Sequence, residues 1–117
     1  MAKFMFVYRN GPQSSEPSPE EMQNAMKLWM DWIDQGSKEG WLLDGGDALK
    51  PVGKSISPDG TVTDGPFAET KELVSGYSIA KADSLEQAVE YAKTSPMISA
   101  HHGFVEVREL AEVGNEK

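Results

Sequence analysis

Five consecutive large apolar residues near the start of the chain, Phe4 to Tyr8, constrain its fold more than any other segment. The run is rich in aromatic and β-branched residues, as is typical of a β-strand. It lacks the polar residue at every second position that a strand with one face in water requires. Leaving three or four such side chains exposed costs about 1.5–3 kcal/mol each. We therefore expect helices to cover one face of this strand and a second copy of the chain to cover the other.

Two capping boxes mark the beginnings of two helices. In Ser18-Pro-Glu-Glu21, a serine N-cap is followed by proline at the first helical position and by glutamate three residues after the serine. This helix is predicted to run to about Gln35 or Glu39. Its apolar stripe toward the core comprises Met22, Ala25, Met26, Trp29 and Ile33, widened by Leu28 and Trp32. The second helix begins at Ser84-Leu-Glu-Gln87 and ends before Pro96.

The remaining apolar stretches predict strands, and two of them form a hairpin around Pro58-Asp-Gly60. Gly45-Gly46 indicates a bulge or a close backbone approach. It does not predict a phosphate-binding loop, because no helix begins after it. With the hairpin set aside, the element order is βαββαβ, the ferredoxin-like arrangement. We predict an α+β fold of the dimeric α+β barrel type, with one domain over residues 1–110 and a charged tail over 111–117.

Charge and composition exclude several classes of function. The chain has 11 basic and 19 acidic residues among 117, a formal net charge of −8, and its basic residues are scattered. This pattern disfavours binding to nucleic acid and to anionic membranes. No segment approaches the roughly 20 apolar residues of a membrane span, and no cleavable signal is visible, so we expect a cytoplasmic protein. There is no cysteine, and we predict no metal and no cofactor.

The densest chemistry lies in the ten residues from Thr63 to Glu72. Gly65 and Pro66 restrict the backbone and fix a turn. Around this turn lie the acidic residues Asp64, Glu69 and Glu72, the basic residue Lys71 and the apolar Phe67. Such a loop is either a binding site or a rigid scaffold for the dimer, and the sequence leaves both open.

This segment contains the residues Asp-Gly-Pro-Phe-Ala-Glu-Thr-Lys-Glu. They resemble the signature of the YCII-related, or DGPF-domain, family of bacterial proteins. The resemblance extends to the apolar strand ending in Tyr8, the Ser-Pro-Glu-Glu helix start and the closing Gly103 to Arg108. It implies a ferredoxin-like homodimer. One branch of the wider superfamily contains lyase-like enzymes that act on small aromatic substrates through a His–Asp pair. The first helix here has no histidine where that branch places its own, so the pair cannot be transferred.

His101 and His102 are the only side chains with ordinary pKa values near neutrality. We predict that His102 pairs with Asp64 across the sheet as an acid–base pair. Ligand contacts are predicted for Phe67, Glu69, Lys71 and Arg108. Alternatively, the histidines are exposed loop residues, Asp64 holds the turn through backbone N–H groups, and Lys71 pairs with a neighbouring glutamate.

Two functions of different classes remain open at this point. The first is a small-molecule-binding protein, or a proton-transfer (lyase-like) enzyme, that acts on a small anionic or aromatic compound. Its pocket would lie between the helices, the sheet and the signature loop. The second, suggested by relatives encoded beside alternative sigma factors, is a non-catalytic dimeric module in transcription control. The sequence contains no complete catalytic triad or acid–base pair that would decide between them.

Overall fold

The apolar run at the start of the chain forms the first strand of a mixed α+β fold. The computed structural model describes residues 1–9, 17–65 and 73–111. In chain order the elements are β1 (Ala2–Arg9), α1 (Pro19–Glu39), β2 (Leu42–Asp44), β3 (Gly53–Ile56), β4 (Val62–Gly65), β5 (Val74–Ala82), α2 (Leu85–Lys93), α3 (Pro96–Ser99) and β6 (Phe104–Glu109). This order confirms the predicted α+β, ferredoxin-like arrangement, whereas the predicted dimer stays a prediction; the short helix α3 was not expected.

The main sheet is antiparallel, with strand order β2-β5-β1-β6. With β3 and β4 set aside, this is the strand order of a ferredoxin-like sheet. The central position of β1 follows from its sequence, since an apolar strand is most stable where it is paired on both edges. β3 and β4 pair with each other in a separate two-stranded sheet. We refer to residues 53–65 as the hairpin arm.

The first helix begins and ends where the sequence predicts. The Ser18 backbone N–H donates to Glu21 Oε1 at 2.9 Å, and the Glu21 N–H donates to Ser18 Oγ at 3.1 Å. The helix ends at Gly40, whose φ of +87° is left-handed, as is usual for a C-terminal glycine. Within the described residues, no helix combines the length and the apolar character needed to cross a membrane.

The apolar stripe predicted for α1 is correct only in its second half. Trp32 is buried, whereas Met22 and Met26 are 58% and 65% exposed. The C-terminal half of the helix packs on β2, and Trp29 and Ile33 pack against the buried core. Periodicity identifies which side of a helix is apolar but not how far along its length that side is covered.

Burial alternates along β1, and its two faces differ in their surroundings. Phe4, Phe6 and Tyr8 face the helices and are at most 5% exposed. They lie in a core with Trp32, Trp41, Leu42, Ala80, Ala82, Ala88, Ala92 and Met97. Met5 and Val7 point to the opposite face and are only half-buried. We call this second side of the sheet the open face.

Candidate functional site

A cavity of about 420 Å³ lies between α1, one end of the main sheet and the segment that follows β2. Its lining comprises Tyr8, Trp29, Ile33, residues 45–49, residues 75–77, Met97 and His101. The lining includes three aromatic residues, Tyr8, Trp29 and Tyr77, and the rings of Tyr8 and Trp29 are in edge contact with each other. The cavity therefore combines residues from β1, α1, the segment after β2, β5, α3 and the turn that follows α3.

Residues 45–49, which we call the cavity wall, are pinned to β5 by backbone contacts. Ala48 forms an isolated bridge with Gly76, and the Leu49 N–H donates to the Ser75 carbonyl at 2.8 Å. Gly46 has a φ of +75°, and a Cβ at this position would lie 1.6 Å from the Tyr77 carbonyl oxygen. Only glycine fits such a contact. The close backbone approach predicted for Gly45-Gly46 is therefore present, and it shapes the cavity.

A chain of hydroxyl groups connects β1 to the cavity wall. The Tyr8 hydroxyl donates to Ser78 Oγ at 2.7 Å, and Ser78 Oγ donates to the Gly45 carbonyl at 2.8 Å. Burial raises the pKa of Tyr8 to about 12, an effect that the Ser78 bond partly offsets. Tyr8 is therefore protonated at neutral pH. It is a hydrogen-bond donor that positions the cavity wall through Ser78, and it does not act as a base.

Trp29 and His101 form the second polar contact of the cavity. Trp29 Nε1 donates to His101 Nε2 at 2.9 Å, and the two ring centroids are 6.1 Å apart. Burial lowers the pKa of His101, and the neighbouring His102 lowers it further. The imidazole is therefore neutral at pH 7. Trp29 also makes an edge contact with Tyr8 at a centroid distance of 5.1 Å, so the helix, the strand and His101 are held together.

The predicted site residues that the structure describes do not line this cavity. Asp64 lies on β4 with its side chain 92% exposed, 2.5 Å from Lys54 Nζ. His102 is exposed in the turn before β6, with a φ of +52°. Arg108 is 73% exposed and lies 3.9 Å from Glu106. Phe67, Glu69 and Lys71 lie outside the described residues. The functional roles predicted for these six residues remain predictions.

The sequence does not indicate that Trp29, His101 and Asp47 belong to one site. Its periodicity predicts Trp29 as part of the core stripe, and the predicted acid–base pair contains His102 and not His101. Residues 29 and 101 are 72 positions apart, so no local spacing could have indicated their contact. The available signal was the pair Gly45-Gly46 together with Gly76 inside a strand, which marks two backbones in close contact.

Known proteins resemble this chain at the level of domain and fold. Residues 2–113 match the YCII-related domain. An uncharacterized protein of Rhizobium meliloti (strain 1021) is 42% identical over 50 residues, which cover 43% of this chain and 40% of that protein. The match thus spans less than half the length of this curated relative.

A solved structure shares the fold. It is the 5-chloro-2-hydroxyhydroquinone dehydrochlorinase from Burkholderia phenoliruptrix AC1100, in complex with 2,5-dihydroxybenzoquinone. The TM-score is 0.50 at 9% sequence identity, and the alignment covers 98% of this chain and 99% of the other. At this identity the similarity concerns the fold alone, and it supports the ferredoxin-like arrangement of strands and helices.

Proposed function

We infer that this protein, which belongs to the YCII-related domain family, binds a small planar aromatic compound in the cavity beside Trp29 and His101. The observation that carries this proposal is the lining itself, which is largely apolar, includes the aromatic residues Tyr8 and Trp29, and contains few charged or polar side chains. Small-molecule sites have this composition and typically enclose roughly 300–1,000 Å³. The cavity volume of about 420 Å³ lies within that range.

The charges of the lining favour a neutral ring over an anion. Among the described residues that line the cavity, Asp47 is the one carboxylate and there is no lysine or arginine. A carboxylate repels an anionic ligand, whereas aromatic walls attract a ring of any charge through offset or edge contacts. Of the two ligand classes considered from the sequence, anionic and aromatic, we therefore propose the aromatic one.

Proton transfer on the bound ring is the chemistry that these groups support. Asp47 lines the cavity, is exposed to solvent, and is suited to accept a proton from a ligand hydroxyl or an acidic C–H. The electron pair left behind moves into the ring and onto an oxygen substituent. The electron pair then returns from the oxygen, either to take up a proton at another ring position, which is an isomerisation, or to expel a substituent as an anion, which is a lyase-like elimination. We propose this chemistry in keeping with the sequence resemblance to a superfamily that contains lyase-like enzymes.

A thermal-shift screen tests the binding proposal. Hydroquinone serves as a neutral probe and 2,5-dihydroxybenzoquinone, which is ionised at neutral pH, as an anionic one. At a concentration 100 times Kd, a ligand stabilises the folded protein by about 2.7 kcal/mol, which raises the Tm of a domain of this size by roughly 10 °C. We expect the neutral probe to give the larger shift. Stabilisation by the anionic probe alone, lost in Lys71→Met, would instead support the predicted role of Lys71.

A pair of variants locates the binding site. Ala48→Phe places a ring in the cavity, whereas Ala111→Phe adds the same ring at an exposed position outside it. We expect the first variant to abolish the thermal shift and the second to retain it. The proposal is wrong if no aromatic probe raises Tm, or if both variants bind as the unmodified protein does.

We further propose that the open face packs against the same face of a second copy. Val7 lies opposite Tyr77 on β5 and Glu106 on β6, and Met5 lies opposite Ile79. Met5, Val7, Tyr77 and Ile79 form a half-buried apolar surface, and β6 adds Glu106 opposite Val7 and Arg108 opposite Met5. Covering the apolar side chains with an identical surface removes them from water, and the ion pair of Glu106 with Arg9 at 3.0 Å avoids an uncompensated buried carboxylate.

Sedimentation at micromolar concentration tests the dimer. We expect about twice the chain mass of 12.8 kDa for the unmodified protein. Val7→Asp should yield a folded monomer, because Val7 faces away from the helix-side core, while Val7→Thr should retain the dimer. Phe6, which points into that core, is unsuitable for this test because an aspartate there would unfold the chain. A monomeric unmodified protein would contradict the proposal.

A further inference from the structure

The hydrogen bond between Trp29 and His101 determines where the imidazole carries its proton. Trp29 Nε1 lies 2.9 Å from His101 Nε2. An indole N–H is a donor and has no lone pair to offer, so Nε2 must present its own lone pair. The single proton of the neutral ring is therefore on Nδ1. In the Nε2–H tautomer, and likewise in the imidazolium ion, the N–H group at Nε2 would point at the N–H group of Trp29.

The second ring nitrogen of His101 is accessible. Among the described residues, every fully buried side-chain nitrogen or oxygen has a hydrogen-bond partner. No described residue bonds to His101 Nδ1, because the contacts of this side chain are those with Trp29. Nδ1 is therefore in contact with solvent, on a residue that lines the cavity. A ligand that reaches Nδ1 therefore meets an N–H group, not a lone pair.

We propose that His101 is a neutral Nδ1–H donor for the ligand of this cavity, and that Trp29 is the positioning residue that fixes this tautomer. The proposal rests on the proposed function and narrows its ligand class. The ligand presents an acceptor oxygen to His101, the carbonyl of a keto- or formyl-substituted ring. His101 consequently does not act as the base of the cavity.

This assignment separates the roles of the two polar groups. A neutral imidazole donor stabilises negative charge that develops on an oxygen without transferring its own proton. When Asp47 takes a proton from the ligand, the electron pair moves to the oxygen that His101 holds. The lowered pKa of His101 is consistent with this arrangement, since the charged form is disfavoured by burial and by His102.

The tautomer is measured in the ligand-free protein by ¹⁵N NMR of the histidine rings at pH 7.5. We expect a protonated Nδ1 and an unprotonated Nε2 for His101. Trp29→Phe retains an aromatic ring but removes the N–H donor, and His101 should then populate the Nε2–H tautomer. Trp32→Phe is the matched control, because Trp32 donates to Thr94 and not to His101. An Nε2–H signal or an imidazolium in the unmodified protein would overturn the assignment.

Ligand recognition is tested with two mainly neutral probes that differ in one oxygen, 3-hydroxybenzaldehyde and 3-methylphenol. We expect the aldehyde to shift the His101 Nδ1–H resonance downfield and to bind about 3- to 10-fold more tightly, the effect of one neutral hydrogen bond. Equal affinities with an unmoved resonance would overturn the proposed ligand class. If neither probe nor any other aromatic compound binds, the proposed function fails, whereas the tautomer measurement still stands or falls independently.

Discussion

The cavity wall and the hairpin arm lie close together in sequence, but their surroundings differ. Each contains aspartate and a glycine with positive φ, Gly46 at +75° and Gly60 at +89°. The cavity wall is bonded to β5, whereas within the described residues the strands of the hairpin arm pair with each other. Asp64, the one charged residue of the signature that the structure describes, lies in the arm and does not line the cavity.

Substitution of the two glycines by alanine is expected to produce the largest difference in the free energy of unfolding between these regions. Gly46→Ala should lower the free energy of unfolding by about 4 kcal/mol or more, because its Cβ would lie 1.6 Å from a backbone oxygen that cannot rotate away. In Gly60→Ala the new Cβ meets nothing within 4 Å, so that only the left-handed conformation is penalised, by about 1–2 kcal/mol. Urea denaturation measures both values. Equal losses would mean that the wall does not pack as tightly as described.

Acid titration distinguishes the regions with a smaller effect. His101 resists protonation in the folded state, so the unfolded chain binds more protons and stability falls as pH drops below about 6.5. In the hairpin arm, hydrogen bonds from Ser57 and Thr61 lower the pKa of Asp59 to about 2, and its contribution is lost only as pH falls from 3.8 toward that value. Tm measured against pH should therefore decline in two separate windows.

Substitutions show which region causes the decline of Tm in each of the two pH ranges. His101→Gln removes the titrating group and should flatten Tm between pH 7 and 5, while His102→Gln should leave a decline in that range. Asp59→Asn should affect only the acid window. A slope near pH 6 that persists in His101→Gln would show that another group is responsible.

The smallest effect is expected at the ion pair of the hairpin arm. Lys54 and Asp64 are 65% and 92% exposed, and such surface pairs contribute about 0–1 kcal/mol. Asp64→Asn and Lys54→Met should therefore change the free energy of unfolding by less than about 0.5 kcal/mol, in a double-mutant cycle measured by urea denaturation. A larger coupling energy would indicate that Asp64 has a structural role in the signature loop.

The fold was predictable because its signals are local. The serine caps at Ser18 and Ser84, the turn at Gly60 and the apolar run of β1 each specify an element from neighbouring residues, and the element order then limits the topology. The exposure of Met22 and Met26 was not predictable, because the length of α1 that packs on the sheet depends on how far the sheet extends beneath it.

The candidate site was less predictable because it depends on contacts between distant residues. Tyr8, Trp29 and His101 come from three elements, and nothing in their spacing indicates a shared cavity. Adjacent residues of an extended chain point to opposite sides, so that His101 and His102 would not share a pocket, but the sequence does not indicate which of them faces one. His102, with a φ of +52°, lies outside extended geometry altogether.

The edge and stacking contacts of the aromatic rings have an optical consequence. Tyr8, Trp29, Trp32, Trp41 and Tyr91 form a continuous series with centroid distances of 5.1, 5.7, 5.5 and 4.2 Å. All three tryptophans of the chain belong to it. Excitation absorbed by any of them passes to its neighbours at such distances, so a quenching compound beside Trp29 dims the emission of the whole set. Tryptophan fluorescence therefore provides a measurement of the ligand binding proposed for the cavity.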